Sequence, residues 1–196
     1  MKKFTILAMI FAGALCLSAC GNDKSSTDDK EISSSVDNEK NDDLKDKENV
    51  GSLEGTLPEI IDKIYENVET NLNLMTMELD LTDLEGLPYY TGLSDASKIK
   101  EAAVSESAFG SQAYSLVLVR LNDAKDAKDV AEQMKENIDT RKWICVNADD
   151  LRVAAYGDVV MFIMTSTEFE DSASAKDITE AFAKVCGAEL DIDMAK

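Results

Sequence analysis

The sequence predicts a single α+β domain, a small and mainly antiparallel sheet of three to four strands packed with about three helices. Three observations carry that prediction. Thr56-Leu57-Pro58-Glu59 opens an amphipathic stretch, and Ala113 to Leu121 is a Val/Leu run too short for a core helix. Two further apolar runs, 151–156 and 159–166, flank Gly157-Asp158, a two-residue hairpin turn with glycine at its first central position. The predicted domain covers 56–190, enough chain for one core, with 191–196 left as a tail.

The first helix has a capping box at Thr56 and Glu59 with proline in its first turn. Leu57, Ile60, Ile61, Ile64, Val68 and Leu72 repeat at helical spacing, which predicts an end near 71–73. From Leu74 to Leu93 two readings stay open: Met75, Met77, Leu79 and Leu81 alternate like a strand, but Gly86, Pro88 and Gly92 break any long element. Residues 95–103 make a short helix or run into a strand. After the strand 113–121, Asn122-Asp123 starts a helix over 123–138 with Ala127, Val130, Ala131, Met134 and Ile138 inward. Trp143 to Val146 is a short apolar segment of open type. Ser174 and Asp177 begin the last helix, Ile178, Ala181, Phe182 and Val185 line it, and Gly187 stops it.

Ahead of the domain, Lys2 and Lys3 precede an apolar run from Phe4 to Leu17 that ends in Leu17-Ser18-Ala19-Cys20-Gly21. The run is shorter than the roughly 20 residues a spanning helix needs. Basic start, short apolar core and small residues before a cysteine make a secretory signal over 1–19. Leu17-Ser18-Ala19-Cys20 resembles the lipobox of bacterial lipoproteins at all four positions, whereas Leu15 before Cys16 is too bulky for one. The resemblance implies a diacylglyceryl group on the Cys20 thiol, cleavage before Cys20 and attachment to the extracytoplasmic face of the cell membrane. Between Asn22 and Glu54 the chain holds 11 acids against 5 lysines and scarcely an apolar residue. Residues 20–55 are thus predicted as the lipidated cysteine and an acidic tether that cannot offset its chain entropy by burial.

The net charge is −19 and histidine is absent. Such acidity repels nucleic acid, and the composition denies Ser-His-Asp and Cys-His chemistry and histidine zinc sites. Cys145 and Cys186 are the candidate pair for a disulfide in an oxidising compartment; two buried thiols are the alternative. Asp80, Asp83 and Glu85, and Asp149-Asp150, cluster without a calcium-loop pattern, so no metal and no cofactor are expected. No serine elbow or phosphate loop occurs, so no catalytic residue is assigned. Tyr89-Tyr90 beside Pro88 reads as a loop packed onto the domain or as an exposed aromatic contact.

Alternation divides the strand 113–121 into Val117, Val119 and Leu121 against Tyr114, Leu116, Leu118 and Arg120. The strand 151–156 divides into Leu151, Val153 and Ala155 against Arg152, Ala154 and Tyr156. A sheet of about four strands is only about 19 Å wide, so the helices 123–138 and 174–186 suffice for the plain apolar face. The helix from Leu57 then goes to the other face or to an end. Left open, that other face makes Tyr114, Arg120, Arg152 and Tyr156 the candidate partner surface; covered, it makes the arginines structural.

Tyr90-Thr91-Gly92-Leu93, Tyr114 to Arg120, Trp143-Ile144-Cys145 and Tyr156-Gly157-Asp158-Val159-Val160 make roughly 57–187 similar to a family of small Gram-positive bacterial lipoproteins carrying a domain of unknown function. The resemblance implies a fold and a compartment and no activity. The expected role is a non-enzymatic, lipid-tethered binding domain whose partner is an envelope protein, a wall component or a small ligand. The alternative is an envelope enzyme using carboxylate or tyrosine chemistry.

Overall fold

A computed structural model describes residues 51–169 and 172–196. The expected signal, Cys20 and the tether up to residue 50 lie outside the described residues. Helix α1 spans Leu57–Tyr65, and its capping box forms: the Thr56 N–H donates to Glu59 Oε2 at 2.8 Å. It stops well before 71–73. The Asn67 side-chain amide donates to the Lys63 carbonyl at 2.9 Å, capping the last turn, and Val68 and Leu72 reach the core from irregular chain. The helical spacing of apolar residues thus outlasts the helix.

Strand β1 is Leu74–Glu78, so alternation was the correct reading there. Helix α2, Gly86–Thr91, is ended by Gly92 at φ 73°, and β2 runs Ile99–Ser107. Strand β3 is Tyr114–Leu121, and a 3₁₀ turn at Ala124–Asp126 leads into α3, Ala127–Asn137. Asp123 accepts from the Lys125 N–H there, while Asp126 makes no side-chain cap. The hairpin forms from β4, Asp150–Tyr156, and β5, Val159–Thr165. Helix α4 is Ala175–Cys186, with a Ser174/Asp177 capping box and Gly187 at φ 65°; β6 is Ile192–Ala195. No helix among the described residues is long and apolar enough to cross a membrane.

The six strands form one fully antiparallel sheet in the order β1-β2-β3-β5-β4-β6. The α+β class and the antiparallel sheet stand; the strand count is six rather than three to four, with four helices rather than about three. The extra strands flank the expected ones. Residues 192–195, expected as tail, pair with β4.

Alternation sorts the strand side chains as predicted, but the covering differs. Val117, Val119, Val153, Phe162 and Met164 pack under α3. Tyr114, Leu116, Leu118, Ala154, Met161 and Ile163 pack under α1 and α4 together. The expectation that α4 shares a face with α3 is therefore corrected. Six strands make a sheet about 29 Å wide, and two helices about 8–10 Å apart are needed on this face alone. Side chains of that face also aim α4: Asp150 Oδ2 accepts from the Ala175 N–H at 2.8 Å, and Thr165 Oγ1 lies 2.7 Å from Ser172 Oγ.

Under α1, the Tyr114 and Tyr65 hydroxyls lie 3.3 Å apart in the core. Burial pushes Tyr65 up to about 12 and Tyr114 well above its ordinary value. A tyrosine with a raised folded pKa contributes stability that is fully present below about pH 10 and lost as pH climbs to the folded value. Unfolding free energy is expected to fall by about 1.4 kcal/mol per pH unit per group above pH 10. Urea titrations at pH 9 to 12 check this, and Tyr65→Phe should flatten the slope; an unchanged slope removes the tyrosine from the account.

The sheet has two distinguishable ends. At one, Arg120 pairs with Val159, Ala155 with Ile192, and the Gly157 N–H donates to Asp191 Oδ2 at 2.7 Å. The chain joins the domain here: the Tyr156 ring lies against Gly51, and the Gly51 carbonyl packs onto Gly157 so closely that a Cβ there would collide with it. Gly157 also has φ 57°, so no other residue suits the turn. At the other end, Tyr114 pairs with Thr165 and Ser115 with Glu106. Along β3 the two ends are about 20 Å apart.

Candidate interaction surface

The four residues expected as a partner surface do not form one. Tyr114 is fully buried. Arg120, its side chain 10 % exposed, ion-pairs with Glu101 at 2.5 Å and donates to the Leu53 and Gly55 carbonyls at 2.9 and 3.0 Å. Asp158 lies 3.9 Å from its Nε, close enough for attraction and too far for a hydrogen bond. Arg120 thus clamps the segment ahead of α1 onto the sheet, and the described part of the expected tether, 51–55, is held against the domain. Arg152 is half-buried and ion-pairs with Asp193 of β6 at 2.8 Å. Tyr156 is half-buried against Gly51 and the core under α1 and α4. Both arginines are structural because α1, α4 and the 51–55 segment cover that face.

The expected disulfide is also corrected. Cys145 and Cys186 are both free. Cys145 is exposed at φ 61° in the loop between α3 and β4, whereas Cys186 ends α4 on the opposite side of the sheet. Burial, with Asp191 nearby, pushes the Cys186 thiol up to about 12, which keeps it a thiol near neutrality.

The carboxylate clusters act locally. Asp80 Oδ1 accepts from the Thr82 N–H, Asp83 Oδ1 from the Glu85 and Gly86 N–H groups, and Asp149 from Thr167. Asp126 and Asp129 ion-pair with Lys98 at 3.0 and 2.6 Å. Among the described residues no three His, Cys, Asp or Glu side chains gather as a metal cluster.

What the sequence reading missed lies at the far end. Lys142, from the loop between α3 and β4, reaches back over the α3 face with its side chain 1 % exposed. Its Nζ lies 2.5 Å from Glu106 Oε1 and 3.2 Å from Ser115 Oγ. Three rings surround it, with centroids at 4.9 Å (Tyr89), 5.2 Å (Tyr90) and 5.3 Å (Trp143). Burial pulls the Lys142 ammonium below its ordinary pKa, and Glu106 opposes that pull. Ser115 is buried too. The cluster is a pin: one cation holds α2, the loop and the sheet together through charge and cation–π attraction.

Around the pin the surface turns apolar. Tyr89, Phe109 at the β2–β3 turn, Ile144 and Met75 are exposed, Ile144 at 73 % and Met75 at 63 %. They are linked through the pin: the Ile144 N–H donates to Gly110 O at 3.0 Å, Met75 pairs with Glu106, and Tyr89 flanks Lys142. Tyr89-Tyr90 was one legible hint, and polar Ser115 in the same row as Val117 and Val119 was another. Compared with family models, curated proteins and solved structures, the chain matches none of them.

Proposed function

We propose that the chain is a lipid-anchored extracytoplasmic protein whose domain binds a partner at the cell envelope without catalysing a reaction. The complete Leu17-Ser18-Ala19-Cys20 motif supports the anchor, and the resemblance to small bacterial lipoproteins agrees with it. One observation carries the binding role. The exposed apolar side chains Met75, Tyr89, Phe109 and Ile144 gather at the end of the sheet opposite Gly51. That end is the one farthest from the chain's entry at Gly51, and exposed apolar clusters of this kind favour partner contact.

Two measurements test the proposal. Cys20→Ser is expected to move the protein from the membrane fraction to the soluble fraction or to leave it unprocessed; an unmodified Cys20 kept in the mature chain overturns the anchor. Phe109→Ser combined with Ile144→Ser should leave folding intact and weaken crosslinked capture of the envelope partner at least tenfold. Unchanged capture removes the far end as the binding surface.

A further inference from the structure

Strand β1 closes one edge of the sheet, and four of its five residues are exposed. The Ala108 N–H donates to Asn73 O and the Leu79 N–H to Ala102 O, which fixes the ladder's phase. In this register, Met75 and Met77 spend their backbone groups on β2, while Leu74, Thr76 and Glu78 direct theirs away from the sheet. An edge of this kind is ordinarily blunted by lysine, proline or a bulge. β1, Leu-Met-Thr-Met-Glu, has none of these. The other edge, β6, is shorter, carries Asp193 in an ion pair with Arg152 and is tied down by the Lys196 N–H on Leu151 O.

Charge narrows what can pair there. Between Lys63 and Lys98 the chain has seven carboxylates, Glu66, Glu69, Glu78, Asp80, Asp83, Glu85 and Asp95, and no cation. Beside Leu74 a groove of about 710 Å³, lined by Tyr65, Val68, Glu69 and Leu72 among others, continues past the start of the strand. On the α3 side Met75 and Met77 offer exposed thioethers, which adapt to varied apolar partners.

We infer that β1 accepts an extended segment of a partner polypeptide by strand addition, and that this segment alternates apolar with basic residues. Its apolar side chains lie beside Met75 and Met77; its basic ones fall on the Thr76 and Glu78 side. Backbone hydrogen bonds to Leu74, Thr76 and Glu78 supply affinity, and the alternation supplies selectivity. The inference rests on the reading of the domain as a binding module and names the class of its partner.

The test uses an eight-residue peptide alternating lysine and valine, titrated against the full chain by calorimetry at low and high salt. Saturable binding that weakens with salt is expected. Thr76→Pro should weaken it at least tenfold, because proline deletes an outward N–H and leaves the bonds to β2 in place. Should Thr76→Pro lower the melting temperature, Met75→Lys with Met77→Lys keeps every backbone donor and should produce the same loss by repulsion. Thr76→Val should bind like the parent chain. Absence of binding up to about 1 mM peptide, equal binding by both edge variants, or a salt-insensitive dimer that Thr76→Pro dissolves would each overturn the inference; the last makes a second copy the occupant. Peptide failure alongside loss of envelope capture in the Phe109/Ile144 variant would sink strand addition alone, whereas failure of both would sink the binding reading as well.

Discussion

Arg120→Met is expected to lower the unfolding free energy by about 3 kcal/mol, the low end for breaking a buried ion pair from one side. The low end applies because Glu101 and Asp158 keep side-chain exposures of 34 % and 24 % and can recover some hydration. The loss has two parts. Two carboxylates remain beside an apolar side chain, and the Leu53 and Gly55 carbonyls lose their donor. Urea unfolding measures the total, and amide hydrogen exchange separates the parts. Amides ahead of α1 should lose protection under native conditions, before global unfolding, because the clamp is what holds 51–55 to the sheet. A cost below about 1 kcal/mol with unchanged exchange there would show that α1 packing alone positions the segment.

Lys142→Met carries the second large effect, about 3–5 kcal/mol. The substitution keeps the stem's packing against the rings and deletes the charge, so Glu106 Oε1 loses the cation that faces it. Replacing both partners tests the assignment. Lys142→Met with Glu106→Met should recover most of the loss, since a buried pair exchanged for apolar residues of similar volume is often neutral. The double-mutant cycle should therefore give a coupling of about 3 kcal/mol or more, because it contains both the recovered loss and the cost of Glu106→Met alone. Near-additive costs would mean that Lys142 acts through its stem and the rings, with Glu106 a bystander.

These two residues also mark how far the sequence could be read. Arg120 was placed on the correct face by alternation alone, and the possibility that cover makes it structural followed from the same reasoning. Its partners could not be foreseen, because Leu53 and Gly55 sit in a segment whose composition predicts an unbound tether. The hairpin, both capping boxes and the α3 stripe were legible because turn chemistry, caps and periodicity are local. The side taken by α4 was not, since it depends on sheet width, and width depended on β1 and β6. β6 has only four residues, Ile192–Ala195, too few for periodicity to register. Lys142 lay just ahead of the segment 143–146, which was read only as short and apolar. Its burial follows from the loop folding back over β2 and β3, a long-range event that no local pattern encodes. The paired tyrosines pointed to the right neighbourhood, and Ser115 within an apolar row was the missing cue.

The Arg120 clamp also decides how the domain bears mechanical load. A pull on Gly51, resisted by something held at the far end, runs lengthwise along the strands. Arg120 passes that pull from the Leu53 and Gly55 carbonyls into β3, which is flanked on both sides by full ladders to β2 and β5. Tension in that direction stretches many ladder hydrogen bonds at once in shear, where peeling an edge strand would break them singly. A domain gripped this way yields first at the clamp, releasing a few residues of slack, while the sheet behind it stays whole.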